Sequence, residues 1–172
     1  SLKNLLFFAK NHPDTGIIGS RLLNPDGTVQ PSVYHFPTIR RAIKEYFFGK
    51  KGSYEKYAPN SEKPLEVEAL VGATMLIPKT VFEKVGLLDE RYFMYFEDFD
   101  FCRRVKSAGL KIYYLPESRI FHHHGASGKK LGGKTSEFLV KSSKIYNGRL
   151  KYYLFTLIIR LSQNRLTRLF NR

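Results

Sequence analysis

Cysteine, acidic side chains and long apolar runs are all scarce in this chain of 172 residues, and each scarcity excludes something. One cysteine, Cys102, can form no internal disulfide, so the fold rests on a packed core; this leaves the redox compartment open and fits a cytosolic setting easily. The longest nearly apolar run, residues 152–159, falls well below the roughly 20 residues needed to cross a bilayer. No signal-peptide pattern is legible. Only 15 acidic residues oppose 29 basic ones, and the deficit is concentrated late in the chain. Residues 1–117 hold 17 basic and 14 acidic side chains, whereas residues 118–172 hold 12 basic and a single acid. The net charge of +14 therefore belongs mostly to the tail, where it suits anionic lipid, nucleic acid or a phosphorylated ligand without choosing among them.

What is present is enough for one domain with a core. A chain with 42% hydrophobic and 15% aromatic residues is not disordered. Residues 2–9 read as the end of a helix, residues 12–16 as a turn, and residues 16–23 as a buried strand. Asn24-Pro25-Asp26-Gly27 is turn chemistry, which makes Asn24 and Asp26 scaffold rather than metal ligands and predicts a hairpin to a second strand over 28–34. Ile39, Ala42, Ile43, Tyr46 and Phe47 recur at helical spacing. Residues 49–64 form a polar loop that is either a lid, a binding segment or disordered. Residues 65–78 regain strand character with Gly72-Ala73 as an interruption, and Thr80 with Glu83 reads as a capping box for a short helix that Gly86 stops.

The densest chemistry lies between Val81 and Ser127. Glu97, Asp98 and Asp100 open a helix that runs to Ala108 and stops at Gly109. Asp98 shares the face of Phe101, Cys102 and Val105 and so points inward, while Glu97 and Asp100 lie on a flank that Arg103 and Arg104 can neutralise. Two readings stay open for these acids: a functional cleft, or simple complementation of the positive helix end. Residues 111–115 read as a strand, 116–118 as a turn, and 119–122 as another strand ending in His122-His123-His124. Three imidazoles at a strand end are either structural or metal ligands. Residues 136–146 and 149–170 read as helices. The second mixes leucines and aromatics with arginines, either as an interfacial helix on anionic lipid or as a packed helix with a solvated basic face.

Taken in order, Val71-Gly72-Ala73-Thr74-Met75-Leu76-Ile77-Pro78, Val85-Gly86-Leu87-Leu88-Asp89-Glu90-Arg91-Tyr92-Phe93, Glu97-Asp98-Phe99-Asp100-Phe101-Cys102-Arg103-Arg104, Ala108-Gly109, and Pro116 followed by His122 and Ser127 resemble the second half of a family 2 glycosyltransferase. The nearest likeness is to the bacterial rhamnosyltransferase-like branch that builds polysaccharides. The resemblance covers about residues 10–128. It implies a partial GT-A-like, Rossmann-like α/β fold: a mixed sheet with flanking helices over residues 1–134, the acceptor-side half, followed by a basic helical tail over 135–172. It also implies inverting transfer of a sugar, such as rhamnose, from a nucleotide-sugar donor to a saccharide or lipid-linked acceptor.

By the same resemblance Asp98 would be the general base, with the helix start and nearby arginines holding its pKa down. Gly72, Ala73, Asp89, Glu97 and Arg103 would bound the acceptor and donor sugars. His122, with His124 as second choice, would help bind a Mg²⁺ or Mn²⁺ that neutralises the departing diphosphate. Asp98-Phe99-Asp100 is not the family's metal-binding Asp-x-Asp, which occurs earlier in the chain. The nucleotide-binding half is expected to be missing, leaving the chain inactive alone. The implied location is cytoplasmic, at the inner face of the plasma membrane through residues 149–172. The competing class is a non-catalytic basic module for nucleic acid or anionic membrane, with nucleic acid the weaker partner because no recognition motif is present. A metal-dependent phosphohydrolase is weaker still, lacking separated Asp and His ligands.

Overall fold

The computed structural model describes residues 2–123, 125 and 134–170, the last seven by backbone alone. The elements in chain order are α1 (Leu2–Asn11), β1 (Thr15–Leu23), β2 (Val33–Tyr34), α2 (Ile39–Phe48), β3 (Leu65–Glu66), β4 (Ala69–Leu70), α3 (Lys79–Val85), α4 (Glu97–Ser107), β5 (Lys111–Phe121), α5 (Thr135–Asn147) and α6 (Arg149–Phe170). A mixed sheet of order β1-β5-β3 has β1 parallel and β3 antiparallel to β5, and β2 pairs antiparallel with β4. This is the mixed α/β arrangement, sheet plus flanking helices, that the resemblance implied.

The central strand pair is buried on both faces, as parallel strands covered by helices must be. Alternation along β1 and β5 sends Ile17, Ile112 and Tyr114 to one side, where they pack with Phe101, Cys102 and Val105 of α4. Ile18 and Leu115 go to the other side and meet Leu5 and Phe8 of α1. Phe101 is fully buried, and truncating it to alanine would cost about 3–5 kcal/mol. Glycine at 16 lets α4 sit this close to β1: a Cβ there would lie 2.3 Å from Val105 Cγ1.

The structure corrects several local expectations. The Asn24–Gly27 turn forms, with Gly27 at φ 83° and Asp26 Oδ1 accepting the Thr28 N–H and hydroxyl at 3.0 and 2.6 Å. It closes one antiparallel bridge, Leu23 to Val29, and Pro31 has no N–H to extend the ladder; further back on that edge of β1, Ile18 bridges to Leu76, while β5 pairs along the opposite edge. Residues 116–118 are not a turn between strands. They are a bulge within β5, where the register jumps from Ser20↔Leu115 to Arg21↔Arg119 and Ser118 Oγ lies 2.8 Å from Ser20 Oγ. Thr80 caps nothing, since α3 begins at Lys79 after Pro78 and has no side-chain cap. Thr38 does cap α2, accepting the Arg41 N–H at 3.2 Å.

The loop over 49–64 is tied down rather than loose. Glu45 accepts the N–H groups of Gly52, Tyr54 and Glu55 at 3.1, 2.6 and 3.0 Å, and Tyr57 bridges to Val33. The last two helices pack back on the body. Phe155 of α6 is buried with its ring 5.2 Å from Tyr54, and Ser142 of α5 donates to the Met94 carbonyl at 2.8 Å.

Candidate active site

Because β5 follows α4 through a tight turn at Gly109, α4 runs antiparallel to β5, and the start of the helix lies towards the carboxyl ends of β1 and β5. Open α/β sheets place ligands at that end. The approach to α4 is strained: Tyr95 and Phe96 both adopt left-handed backbone, at φ 67° and 68°, a conformation costing about 1–3 kcal/mol for each such residue. Packing holds it. The Phe96 ring lies 5.5 Å from Phe99 and 5.2 Å from Tyr146 of α5, and the Phe96 carbonyl still accepts the Asp100 N–H at 2.9 Å.

The three acids of the first turn separate into different environments. Asp100 is buried and takes Arg104 Nε at 2.8 Å and Arg103 Nη2 at 3.2 Å, while Arg104 also donates to the Val85 carbonyl at 2.6 Å. Asp100 is thus the pin between α3 and α4. Arg103 is further fixed by its guanidinium lying 4.3 Å from the centre of the Tyr146 ring. Asp98 has neither arginine as a bonded partner: Oδ2 accepts the Gly72 N–H at 3.2 Å and Oδ1 the Phe99 N–H at 2.8 Å.

Burial, followed by the neighbouring charge of Glu97, outweighs those two amides and pushes Asp98 up to about 6. The expectation of a depressed pKa is therefore reversed, because the arginines that were to depress it are spent on Asp100. Glu97 Oε2 is buried without a hydrogen-bond partner among the described residues, so the expected neutralisation of Glu97 by Arg103 and Arg104 does not occur either.

Gly72, Ala73, Glu97, Asp98 and His122 all line one cavity of about 500 Å³, together with Tyr95, Phe96 and Leu139. The acidic helix start and the histidine strand end do face one site. Asp89 and Arg103 are not among the lining residues. Asp89 is held by Arg91, with bonds of 2.6–3.0 Å that keep its carboxyl down at about 2. His124 lies outside the described residues.

His122 is oriented by a residue that sequence reasoning missed. Its Nδ1 lies 2.7 Å from Gln30 Oε1, and Gln30 Nε2 in turn donates to Asn24 Oδ1 at 2.7 Å. With Nδ1–H donating, the neutral ring carries its lone pair on Nε2. The only hint in the sequence was a polar Gln30 within a segment that reads as strand. Asn24, correctly read as turn scaffold, also braces this chain of hydrogen bonds. The imidazole suits one ligand of a divalent ion, yet among the described residues no three His, Cys, Asp or Glu side chains cluster to complete a metal site. No helix among the described residues is long and apolar enough to cross a membrane.

Residues 5–141 match the family model described as glycosyltransferase like family 2. An N-acetylglucosaminyl-diphospho-decaprenol L-rhamnosyltransferase of Mycobacterium tuberculosis is 34% identical over 133 residues, covering 74% of this chain and 43% of that protein. The rhamnosyltransferase WbbL of Escherichia coli is 29% identical over 119 residues, 69% of this chain and 44% of its own length. A low-salt glycan biosynthesis hexosyltransferase of Haloferax volcanii is 38% identical over 98 residues, 56% of this chain and 29% of its own. The chain thus spans less than half the length of these relatives. Since the family model covers most of the chain and the cavity residues fall within that match, the protein belongs to the glycosyltransferase-like family 2.

Proposed function

We propose that this chain forms the acceptor side of an inverting glycosyltransferase that moves a sugar, rhamnose by the relatives' names, from a nucleotide-sugar to a hydroxyl of a saccharide or lipid-linked saccharide in cell-surface polysaccharide synthesis. The observation that carries the reading is Asp98: a carboxylate at a cavity wall, held by two backbone amides and raised to about 6. At neutral pH it is ionised, yet it is a better base than an ordinary aspartate, which suits removal of a proton from an attacking hydroxyl. In the step, the acceptor oxygen bonds to the anomeric carbon, the bond from that carbon to the nucleoside diphosphate breaks, and the hydroxyl proton passes to Asp98.

Gly72 and Ala73 leave room beside the carboxylate, and Tyr95 and Phe96 offer ring surface against a sugar face. Family 2 enzymes generally use a divalent ion; Mg²⁺ or Mn²⁺ bound here would offset the charge of the leaving diphosphate, with His122 as a ligand. The remaining donor-side groups are proposed to lie outside residues 1–172, so that this chain alone is inactive.

The membrane contact is proposed for α6. Leu150, Leu154, Leu157 and Leu161 fall on one exposed stripe, and Arg149, Lys151 and Arg160 are basic residues of the same helix. Such a face suits the inner surface of a plasma membrane carrying a lipid-linked acceptor. Sugar transfer by an enzyme carrying this chain tests the reading. Asp98→Asn is expected to lose about 10²–10⁴ of the rate while binding donor normally. Retention of full transfer would refute it.

A further inference from the structure

The turn that reads as scaffold in the sequence is bonded, side chain by side chain, to the candidate site. The Thr28 hydroxyl donates to Asp26 Oδ1 at 2.6 Å, Asn24 Nδ2 to Thr28 Oγ1 at 2.9 Å and Gln30 Nε2 to Asn24 Oδ1 at 2.7 Å, while Gln30 Oε1 lies 2.7 Å from His122 Nδ1. This chain runs from an exposed tip, Asp26 and Thr28, through the buried Gln30 to the wall of the cavity that also holds Asp98. Backbone bonds fix its spacing. The N–H groups of Asn24, Gln30 and His122 donate to the carbonyls of Thr28, Leu22 and Leu23 at 2.9, 2.8 and 2.9 Å.

Such a chain has a direction, and one member sets it. A hydroxyl, two carboxamides and a neutral imidazole can each be turned to donate where they had accepted, whereas an ionised carboxylate only accepts. The Thr28 hydroxyl and N–H hold the Asp26 carboxyl below its usual range, so it is ionised at neutral pH. Thr28 therefore spends its proton on Asp26 and turns a lone pair to Asn24. Asn24 answers with its amide N–H, which leaves its oxygen for the amide N–H of Gln30, and Gln30 is left with an oxygen for His122. The ring must then donate from Nδ1 and carry its lone pair on Nε2, across the ring from Gln30. The His122 carbonyl, 3.4 Å from Gln30 Nε2, favours the same setting of that amide. Reversing Gln30 would set oxygen against oxygen at Asn24, on a buried side chain whose lost bond solvent does not replace.

We propose that Asp26 is a positioning residue for the site: through Thr28, Asn24 and Gln30 it fixes the tautomer of His122 and makes the far ring nitrogen an acceptor. The proposal rests on the function given above for the divalent ion which that nitrogen would meet, but not for the chain of bonds.

Nitrogen spectra of the full chain, labelled at histidine, free of metal and well above the range in which imidazole protonates, read the tautomer directly, with His122 assigned by its absence in His122→Gln. The wild type is expected to hold the proton on Nδ1 by about tenfold or more over Nε2. Thr28→Val keeps the shape of the side chain without its hydroxyl and should give a mixture of tautomers. Thr28→Ser should restore the wild-type pattern, a rescue that a merely structural turn residue would not produce. Asp26→Ala should match Thr28→Val. Both positions are exposed, and backbone amide spectra report that each variant is folded. A proton on Nε2 in the wild type, or a wild-type pattern surviving in Thr28→Val or Asp26→Ala, overturns the proposal. Because no transfer reaction enters the readout, failure of the functional reading shows separately, as transfer surviving in Asp98→Asn with the His122 tautomer as expected.

Discussion

The backbone N–H of Gly72 donates to Asp98 Oδ2 at 3.2 Å, and a Cβ placed on Gly72 would meet Asp98 Cβ at 3.7 Å, an ordinary contact. Gly72 does not occupy left-handed backbone. Gly72→Ala should therefore fold normally, with stability unchanged or raised by up to about 1 kcal/mol. The added methyl takes space beside the carboxylate, so transfer should fall chiefly through a higher KM for acceptor. Urea unfolding together with acceptor kinetics checks both halves.

Gly16 presents the opposite case. Its Cβ would lie 2.3 Å from Val105 Cγ1 and 3.0 Å from Leu110 Cβ, both parts of the packed layer between α4 and the sheet. Gly16→Ala must push α4 off β1, and a loss of about 1–3 kcal/mol is expected from the denaturant midpoint.

Tyr95 carries left-handed backbone with a partly exposed ring. A β-branched side chain is worse there and asparagine is better, because a short amide tolerates this region. Tyr95→Ile should cost about 1–2 kcal/mol, and Tyr95→Asn less than about 0.5 kcal/mol, in thermal or urea unfolding. Equal effects would show that the strained turn is not what the residue contributes.

Gln30 and His122 are 92 positions apart in sequence and bonded at 2.7 Å. Gln30→Leu removes the acceptor that selects the Nδ1–H tautomer. Nitrogen chemical shifts of His122 should then report a mixture of tautomers, and half-saturation by Mn²⁺ in transfer assays should rise about tenfold, a size usual for loss of a group that orients a metal ligand.

What the sequence made legible was governed by near neighbours. The bounds of α4 follow from its first-turn acids, its buried face of Phe101, Cys102 and Val105, and Gly109 at φ 78°. The pairing of Arg103 and Arg104 was also within reach, since both stand three and four residues after Asp100 and neither does so after Asp98. The choice of partner strand was not. Asn24-Pro25-Asp26-Gly27 correctly specifies a turn, but that the hairpin stops at Pro31, that Leu76 takes the same edge of β1 at Ile18 and that β5 lines the other edge depend on a core assembled from distant segments. Likewise Pro116 signals an interrupted strand, and only the Ser20–Ser118 contact makes that interruption a bulge. Asp98 and His122 were placed in one cavity correctly because their motif order carried the fold, while Gln30 and the Asp98 environment needed coordinates.

The pH dependence of kcat/KM tests the central claim most directly. Asp98 must be deprotonated to act, and its pKa is raised to about 6 by burial and by Glu97, so the rate should climb with pH and level off above about 6. Glu97→Gln removes one negative neighbour, which favours the ionised form, and the rising limb should move to lower pH. By the same sign, ionising Asp98 opposes folding, so its protonated form is the one that stabilises the fold below that window. A wild-type limb near pH 6 that shifts down in Glu97→Gln is the predicted result. A limb at an ordinary aspartate pH, or one that Glu97→Gln leaves in place, would contradict the account.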